Sequence, residues 1–204
     1  MDTRSLIQIP GYRYNEYLLV LSPHEELWNK IKKVKYEFSE KYKSENARWG
    51  KPHIALVNFI QFDMMEERLV NNLKTIAMGY APFKVELKDY GSYPSHTIYI
   101  NIESKAQVQN LVKELRSAQR LMTLNKDHKP HFLDNPNINI AGKLAPWQYE
   151  QAWLEYSNRH FTGRFIADSM LLIKRRIEER AYQIVQRFNF MNLPVTTKQG
   201  ELFM

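Results

Sequence analysis

The chain has 204 residues, of which 44% are hydrophobic and 13% aromatic, and it carries a formal net charge of +7 at pH 7. This composition can form an apolar core and excludes a chain that is disordered throughout. The absence of cysteine excludes disulfides, thiolate metal ligands and a cysteine nucleophile. The N-terminal residues lack a signal-peptide core and no apolar run could cross a bilayer, so we expect a cytoplasmic protein without a membrane span.

The first predicted elements are a strand, a helix and a second strand. Residues 16–21 have the apolar pattern of a buried strand. Ser22 followed by Pro23 is typical of a helix start, with serine as N-cap and proline in the first helical position. Apolar residues then recur at helical spacing and define one face: Leu27, Ile31, Val34, Phe38 and Tyr42. Residues 52–59 follow as a strand.

The same order of elements continues along the chain. Asp63 is the predicted cap of a second helix, and Ser104 is the predicted cap of a third. The other predicted strands are residues 83–87, 97–102, 137–141, 165–173 and 182–190, with loops at 91–94 and 125–135 and a last helix that begins at Pro146.

A strand, a capped helix and a strand opened by proline therefore occur twice. This self-similarity predicts one α+β domain, residues 1–204, made of two lobes related by a pseudo-twofold axis. We place the lobes at about 12–92 and 93–190, followed by a tail, 191–204. The alternative is one continuous sheet with helices on one face.

The two proline-led strands carry the candidate functional residues. The first reads Lys51-Pro52-His53-Ile54-Ala55-Leu56 and the second reads Pro136-Asn137-Ile138-Asn139-Ile140. Residues i and i+2 of a strand point to the same side. Each strand therefore presents two motif side chains together, and the duplication predicts that they meet across one cleft.

These motifs and the duplicated order of elements resemble the two-histidine (2H) phosphoesterases, which include the bacterial 2′-5′ RNA ligase-like proteins and the cyclic nucleotide phosphodiesterases. The family motif is His-x-Thr/Ser, once per lobe, and the resemblance extends over residues 12–190. It implies a bilobal fold with antiparallel sheets around a central cleft. It also implies phosphodiester chemistry in which one imidazole accepts a proton, the other donates one, and the hydroxyls hold phosphate oxygens.

The chain departs from that motif at three of its four positions. His53 matches, whereas Ala55 replaces the first hydroxyl, Asn137 the second histidine and Asn139 the second hydroxyl. An asparagine cannot transfer a proton near neutral pH. We therefore expect weak or no phosphodiesterase activity and leave open whether the chain is an enzyme.

The expected ligand-binding residues lie in and beside the two motifs. They are His53, Ala55, Asn137, Asn139, Lys51 and Lys143. His53 is the expected catalytic residue if turnover survives.

A second register pairs His53 with a different histidine. Lys129-Pro130-His131 repeats Lys51-Pro52-His53 by identity. Residues 132–136 alternate poorly and end in a turn signal, which favours Asn137 as the second motif position. The alternative remains an active cyclic phosphodiesterase or 2′-5′ RNA ligase that uses His53 with His131.

The expected partner is RNA or a nucleotide that carries a phosphate group. Basic residues lie beside both motifs: Arg48, Lys51, Lys126, Lys129 and Lys143. Several aromatic residues could stack a base or else pack in the core: Tyr12, Tyr14, Trp49, Tyr93 and Trp147. We expect no cofactor and no metal, because the sequence has no clustered ligand motif.

The C-terminal tail offers a third interpretation. Gln199, Leu202 and Phe203 have the spacing of a short peptide that docks on bacterial sliding clamps. The chain would then be a protein-interaction scaffold that uses this tail. The sequence leaves the oligomeric state open.

Overall fold

The computed structural model describes residues 12–194. The strands are β1 (Tyr14–Leu21), β2 (Ile54–Phe62), β3 (Phe83–Tyr93), β4 (Thr97–Ile102), β5 (His131–Phe132), β6 (Asn137–Ala141), β7 (Thr162–Ala167), β8 (Ser169–Arg176) and β9 (Gln183–Asn189). The helices are α1 (Glu25–Tyr42), α2 (Glu45–Trp49), α3 (Glu66–Gly79), α4 (Lys105–Leu115), α5 (Gln119–Met122) and α6 (Pro146–Tyr156). None of the helices within residues 12–194 has the length and apolar character needed to cross a bilayer.

Among the described residues, all strand pairs are antiparallel and belong to one nine-stranded sheet in the order β7-β3-β4-β6-β2-β1-β8-β9, with β5 paired to β2. The sheet has two halves, which meet where β2 lies beside β6. A single residue pair, Ile54 with Ile138, joins them. The junction therefore lies within the two motif strands.

Helix α3 packs on the half of the sheet that contains β1, β2, β8 and β9. Tyr17, Leu19 and Leu21 of β1 are fully buried because they alternate toward this helix layer. The phenol of Tyr17 donates a 3.0 Å hydrogen bond to Glu66 in the first turn of α3. That bond ties the helix to the strand next to the first motif.

Helix α1 packs on the other half, which contains β3, β4, β6 and β7. The rings of Phe38 and Tyr42 on α1 contact Tyr156 on α6, with centroids 5.2 and 6.3 Å apart. The position of α1 on the helix side of β6 explains why Ile138 and Ile140 are fully buried.

The halves of the sheet differ from the lobes predicted at 12–92 and 93–190. Strand β3, from the first predicted lobe, pairs with β4 and β7, whereas β8 and β9, from the second, pair onto β1. Strand pairing joins segments that are distant in sequence, and local periodicity carries no information about which segment becomes the neighbour. Each half of the sheet therefore contains strands from both sides of the predicted boundary between residues 92 and 93.

The predicted strand 165–173 is wrong, because the structure has two strands there, β7 and β8, on either side of Asp168. The burial pattern shifts by one residue at this point: Phe165 and Ala167 are buried before it, and Met170 and Leu172 after it. The change of phase marks the point at which the chain leaves one half of the sheet for the other.

The predicted helix caps are also only partly correct. Helix α1 begins at Glu25 with His24 as N-cap, and the hydroxyl of Ser22 instead donates to the carbonyl of Pro23. Ser104 does precede α4, but its hydroxyl accepts the backbone N–H of Glu86 on β3 instead of capping the helix. For Ser104, a tertiary hydrogen bond has replaced the local one.

Candidate functional site

The pairing of Ile54 with Ile138 determines where the motif side chains lie. Both isoleucines are fully buried on the helix side of the sheet. Because side chains alternate along a strand, their neighbours lie on the opposite side, with His53 beside Asn139 and Ala55 beside Asn137. We call His53, Ala55, Asn137 and Asn139 the motif face. Residues directly opposite in an antiparallel pair have Cα atoms about 4.5–5.5 Å apart, and diagonal neighbours are about 7–8 Å apart.

Strand β4 extends the motif face with two further polar side chains. Tyr99 pairs with Asn139, and Asn101 pairs with Asn137. Tyr99 also pairs with Gly91 on β3, where an added Cβ would lie 2.6 Å from the Tyr99 ring and 2.7 Å from Asn101 Oδ1. Glycine at position 91 therefore allows the Tyr99 ring to lie flat against β3.

His53 is half-buried and has a defined tautomer. Its Nδ1 lies 2.8 Å from the carbonyl oxygen of Lys51, which can only accept, so Nδ1 carries the proton. Burial lowers the pKa of His53, the hydrogen bond to Lys51 opposes this, and the positive charge of Lys35 lowers it further. The imidazole is therefore neutral near pH 7, and Nε2 has a free lone pair that can accept a proton.

A buried lysine lies beneath the motif face. Lys35, on α1, is only 3% exposed and donates hydrogen bonds of 2.8 Å to the backbone carbonyls of both Asn139 and Ile140. No salt bridge within residues 12–194 includes this ammonium. Desolvation lowers the pKa of Lys35 to about 8. The lysine connects α1 to the second motif strand from the helix side of the sheet.

Asn137 belongs to a small hydrogen-bonded network on the motif face of β6. Its Nδ2 donates to the hydroxyl oxygen of Tyr93 at 3.1 Å and to the backbone carbonyl of Asn135 at 3.1 Å. The side chain of Asn135 donates to the same Tyr93 oxygen at 2.9 Å. Both amide hydrogens of Asn137 are thus engaged within the protein, and its Oδ1 is an acceptor only.

The remaining predicted ligand-binding residues lie at or near the motif face. Asn139 is exposed, and its Nδ2 is 3.2 Å from the position of a Cβ at Gly142. Lys143, in the next position, is exposed and adopts φ 54°. Lys51 is exposed two residues before His53, whereas Ala55 offers only a methyl group.

His131 does not lie beside His53. It is an exposed residue of β5 and pairs with Asn58, five residues along β2 from His53. At about 3.3 Å per residue, the two backbones are separated by about 15 Å. His128 is buried in the preceding loop, where Nδ1 contacts Asn125 Oδ1 at 3.0 Å. The sequence repeat at Lys129-Pro130-His131 is therefore not matched by an equivalent position in the sheet.

Two other predictions concern a metal site and the C-terminal tail. Within residues 12–194 no three side chains of His, Cys, Asp and Glu are grouped closely enough to hold a metal ion. Gln199, Leu202 and Phe203 lie outside the described residues, so docking on a sliding clamp stays a prediction.

Comparison with known proteins places these features in a family. A sequence profile described as the 2′-5′ RNA ligase superfamily matches residues 23–178, which include both motif strands. The chain belongs to this superfamily. The predicted membership of the 2H phosphoesterases is thus confirmed, and no curated protein matches the sequence.

Solved structures confirm the fold of this family member. Escherichia coli LigT complexed with 3′-AMP has a TM-score of 0.55 at 14% identity, covering 87% of this chain and 98% of that one. TT0787 of Thermus thermophilus has a TM-score of 0.52 at 15% identity, covering 86% and 98%. At these identities the similarity establishes the architecture, whereas the function of the site depends on the residues that this chain has there.

Sequence reasoning missed two features of the site. Lys35 lies on the buried stripe of α1, four residues after Ile31 and three before Phe38, so the helical spacing contains a signal for it. The sequence predicts Tyr93 only as a ring that stacks on a base or packs in the core, because the hydrogen bond from Asn137 joins residues 44 positions apart. No local pattern marks such a contact.

Proposed function

We propose that the motif face binds the phosphate group of an RNA end or a nucleotide, and that the protein has weak or no phosphodiesterase activity of the two-histidine type. The observation that carries this proposal is the pairing of Ile54 with Ile138, which brings His53 together with Asn139 and Asn137. The motif positions of the two strands therefore meet, but only one of them is an imidazole.

The charges around the motif face favour an anionic ligand. Lys51 and Lys143 are exposed near it, Lys35 is buried beneath it, and the whole chain carries +7. Escherichia coli LigT has been crystallised with 3′-AMP, NADP⁺, ATP and phosphate. Three of those ligands carry phosphate on a nucleoside and the fourth is phosphate itself. This common group supports the same ligand class for the present chain.

The composition of the site argues against rapid turnover by the two-imidazole route. A positioned acid or base contributes about 10²–10⁴-fold to a rate, and Asn137 cannot supply one. His131 is about 15 Å along β2 by strand spacing, which disfavours it as the substitute. Binding therefore has more support than catalysis by a histidine pair.

Calorimetric titration with 3′-AMP and with inorganic phosphate tests the proposal. Wild type should bind both. At a pH low enough to protonate His53, Nε2 can donate to a phosphate oxygen, and His53→Ala should then weaken binding at least about tenfold, since a lost hydrogen bond to a charged group costs about 1.5–3 kcal/mol. The matched control is His24→Ala, because His24 is an exposed histidine at the start of α1.

The salt dependence provides an independent check. Affinity for 3′-AMP should fall as salt rises, and Lys143→Ala should reduce that slope. Absence of 3′-AMP binding by wild type would refute the proposed function. Equal effects of His53→Ala and His24→Ala would refute the assignment of the site. Turnover of a cyclic nucleotide that is lost in His131→Ala would favour the alternative with two histidines.

A further inference from the structure

The hydroxyl of Tyr93 lies in the same network as the second motif residue. Its oxygen accepts hydrogen bonds from the side-chain amides of Asn135 and Asn137, at 2.9 and 3.1 Å. A phenol oxygen has two lone pairs and one hydrogen. Because the two amides occupy both lone pairs, the Tyr93 hydrogen remains available for donation.

The orientation of Asn137 in this network is fixed by its second partner. The backbone carbonyl of Asn135 can only accept, so Nδ2 of Asn137, and not Oδ1, points toward both Asn135 and Tyr93. The amide at the second motif position therefore has no hydrogen left for a phosphate oxygen. The Tyr93 hydroxyl is a donor next to it.

The ring of Tyr93 is held against the row of residues that includes His53. Its centroid lies 4.9 Å from that of Tyr99, which pairs with Asn139, the neighbour of His53 across the junction. Tyr93 is 36% exposed, so a ligand on this side of the sheet has access to it. The phenol oxygen is thus hydrogen-bonded to Asn137, the diagonal neighbour of His53 across the junction, so the hydroxyl and the imidazole belong to the same face of the sheet.

We propose that Tyr93 is a catalytic residue that donates the proton which the missing second histidine would have supplied. The inference rests on the proposed function, because it assumes that the motif face holds a phosphodiester. It predicts a slow hydrolysis of 2′,3′-cyclic nucleotides by the pair His53 and Tyr93.

The proposed hydrolysis of the cyclic phosphodiester needs water as its only co-reactant, and both catalytic groups recover their starting protonation states. Nε2 of His53 accepts a proton from the attacking water, whose oxygen forms the new bond to phosphorus. The P–O bond to one ribose oxygen breaks, and that oxygen takes the proton of Tyr93. The phenolate, stabilised by the amides of Asn135 and Asn137, then regains a proton from the imidazolium through solvent, which restores both groups.

The leaving group provides a test that separates acid catalysis from structural effects. A 2′,3′-cyclic nucleotide releases an alkoxide that needs a proton, whereas the 3′-(p-nitrophenyl phosphate) of a 2′-deoxynucleoside releases a phenolate that does not. Tyr93→Phe should reduce turnover of the cyclic substrate about 10²-fold and that of the nitrophenyl ester less than about threefold. Asn137→Asp keeps the phenol but offers a carboxylate that accepts its hydrogen, so kcat should show the same selective loss, whereas the added negative charge should raise KM for both anionic substrates.

The matched control is Tyr149→Phe. Its hydroxyl bonds to Ser92, the neighbour of Tyr93 in sequence, at 2.9 Å and lies outside the network of Asn135 and Asn137. This variant should turn over both substrates at the wild-type rate.

Each other outcome has a defined meaning. Equal losses on both substrates in Tyr93→Phe, or no loss on the cyclic one, would overturn the acid role of Tyr93. Wild type that binds 3′-AMP but hydrolyses neither substrate would overturn it as well, while leaving the proposed binding function intact. Wild type that does not bind 3′-AMP would overturn the proposed function itself.

Discussion

Replacing Lys35 with methionine removes a buried ammonium, and we expect it to abolish a pH-dependent rise in stability. The pKa of this lysine is about 8 in the folded protein and 10.5 as its ordinary value. Between these values the folded protein has released the proton while the unfolded chain still holds it. The free energy of unfolding therefore increases with pH across this window.

The expected magnitude follows from the two pKa values. A difference of about 2.5 units corresponds to about 3 kcal/mol when the whole window is crossed. From pH 7 to pH 9.5 the contribution of Lys35 should be about 2 kcal/mol, because the unfolded chain begins to titrate only near the end of that range. The loss of the bonds to Asn139 and Ile140 shifts the stability of Lys35→Met at every pH, so the slope is the informative quantity.

Urea denaturation at several pH values between 7 and 9.5 measures that slope. The control is Lys33→Met, because Lys33 is an exposed lysine on the same helix. Buried tyrosines with raised pKa values, such as Tyr90 at about 12, lower the free energy of unfolding as phenols of the unfolded chain begin to ionise toward pH 10, and they do so alike in all three proteins. Parallel profiles for wild type and Lys35→Met would refute the argument that the ammonium is desolvated.

Three further predictions concern the motif face. Nitrogen-15 NMR should find His53 as the neutral Nδ1–H tautomer at pH 7, protonating only below its ordinary pKa of 6.5; a mainly Nε2–H tautomer would contradict the bond to Lys51. Gly91→Ala should lower the free energy of unfolding by about 1–3 kcal/mol in denaturant titrations, because its methyl would collide with Tyr99; an unchanged midpoint would refute that close approach. In the Tyr93→Phe background, Asn137→His should raise turnover of a 2′,3′-cyclic nucleotide by up to about 10²–10⁴-fold, the contribution of a positioned acid, and no gain in a folded variant would count against its motif position.

The sequence was most informative where a local pattern and a tertiary feature coincide. Alternation around Ile54 and Ile138 predicted two motif strands, and both strands exist. The preference for Asn137 over His131 came from the poor alternation of residues 132–136, where the structure has a strand of only two residues, β5. In each case the burial of one face imposes a period of two on the sequence.

The sequence was least informative about which segments become neighbours. Asp63 has the position of a helix cap, yet its carboxylate accepts a 2.8 Å bond from Asn15 and a 3.1 Å bond from Lys174, 111 residues away. The hydrogen bonds from Lys35 to β6 and from Asn137 to Tyr93 also join residues that are far apart in the sequence. Side chains that form hydrogen bonds with each other only after folding have no fixed spacing in the sequence, so no local pattern predicts them.

The exchange of strands between the two halves of the sheet has a consequence for synthesis on the ribosome. Leu19 of β1 pairs with Leu172 of β8, so the first strand to emerge waits for one of the last before its ladder is complete. The half that contains β3, β4, β6 and β7 can form before β8 is made, but the half that contains β1 and β2 cannot be completed until β8 and β9 have been synthesised. We expect nascent chains that stop before β8 to be collapsed but unable to bind 3′-AMP, so that binding competence arises only as the C-terminal hairpin of β8 and β9 leaves the exit tunnel.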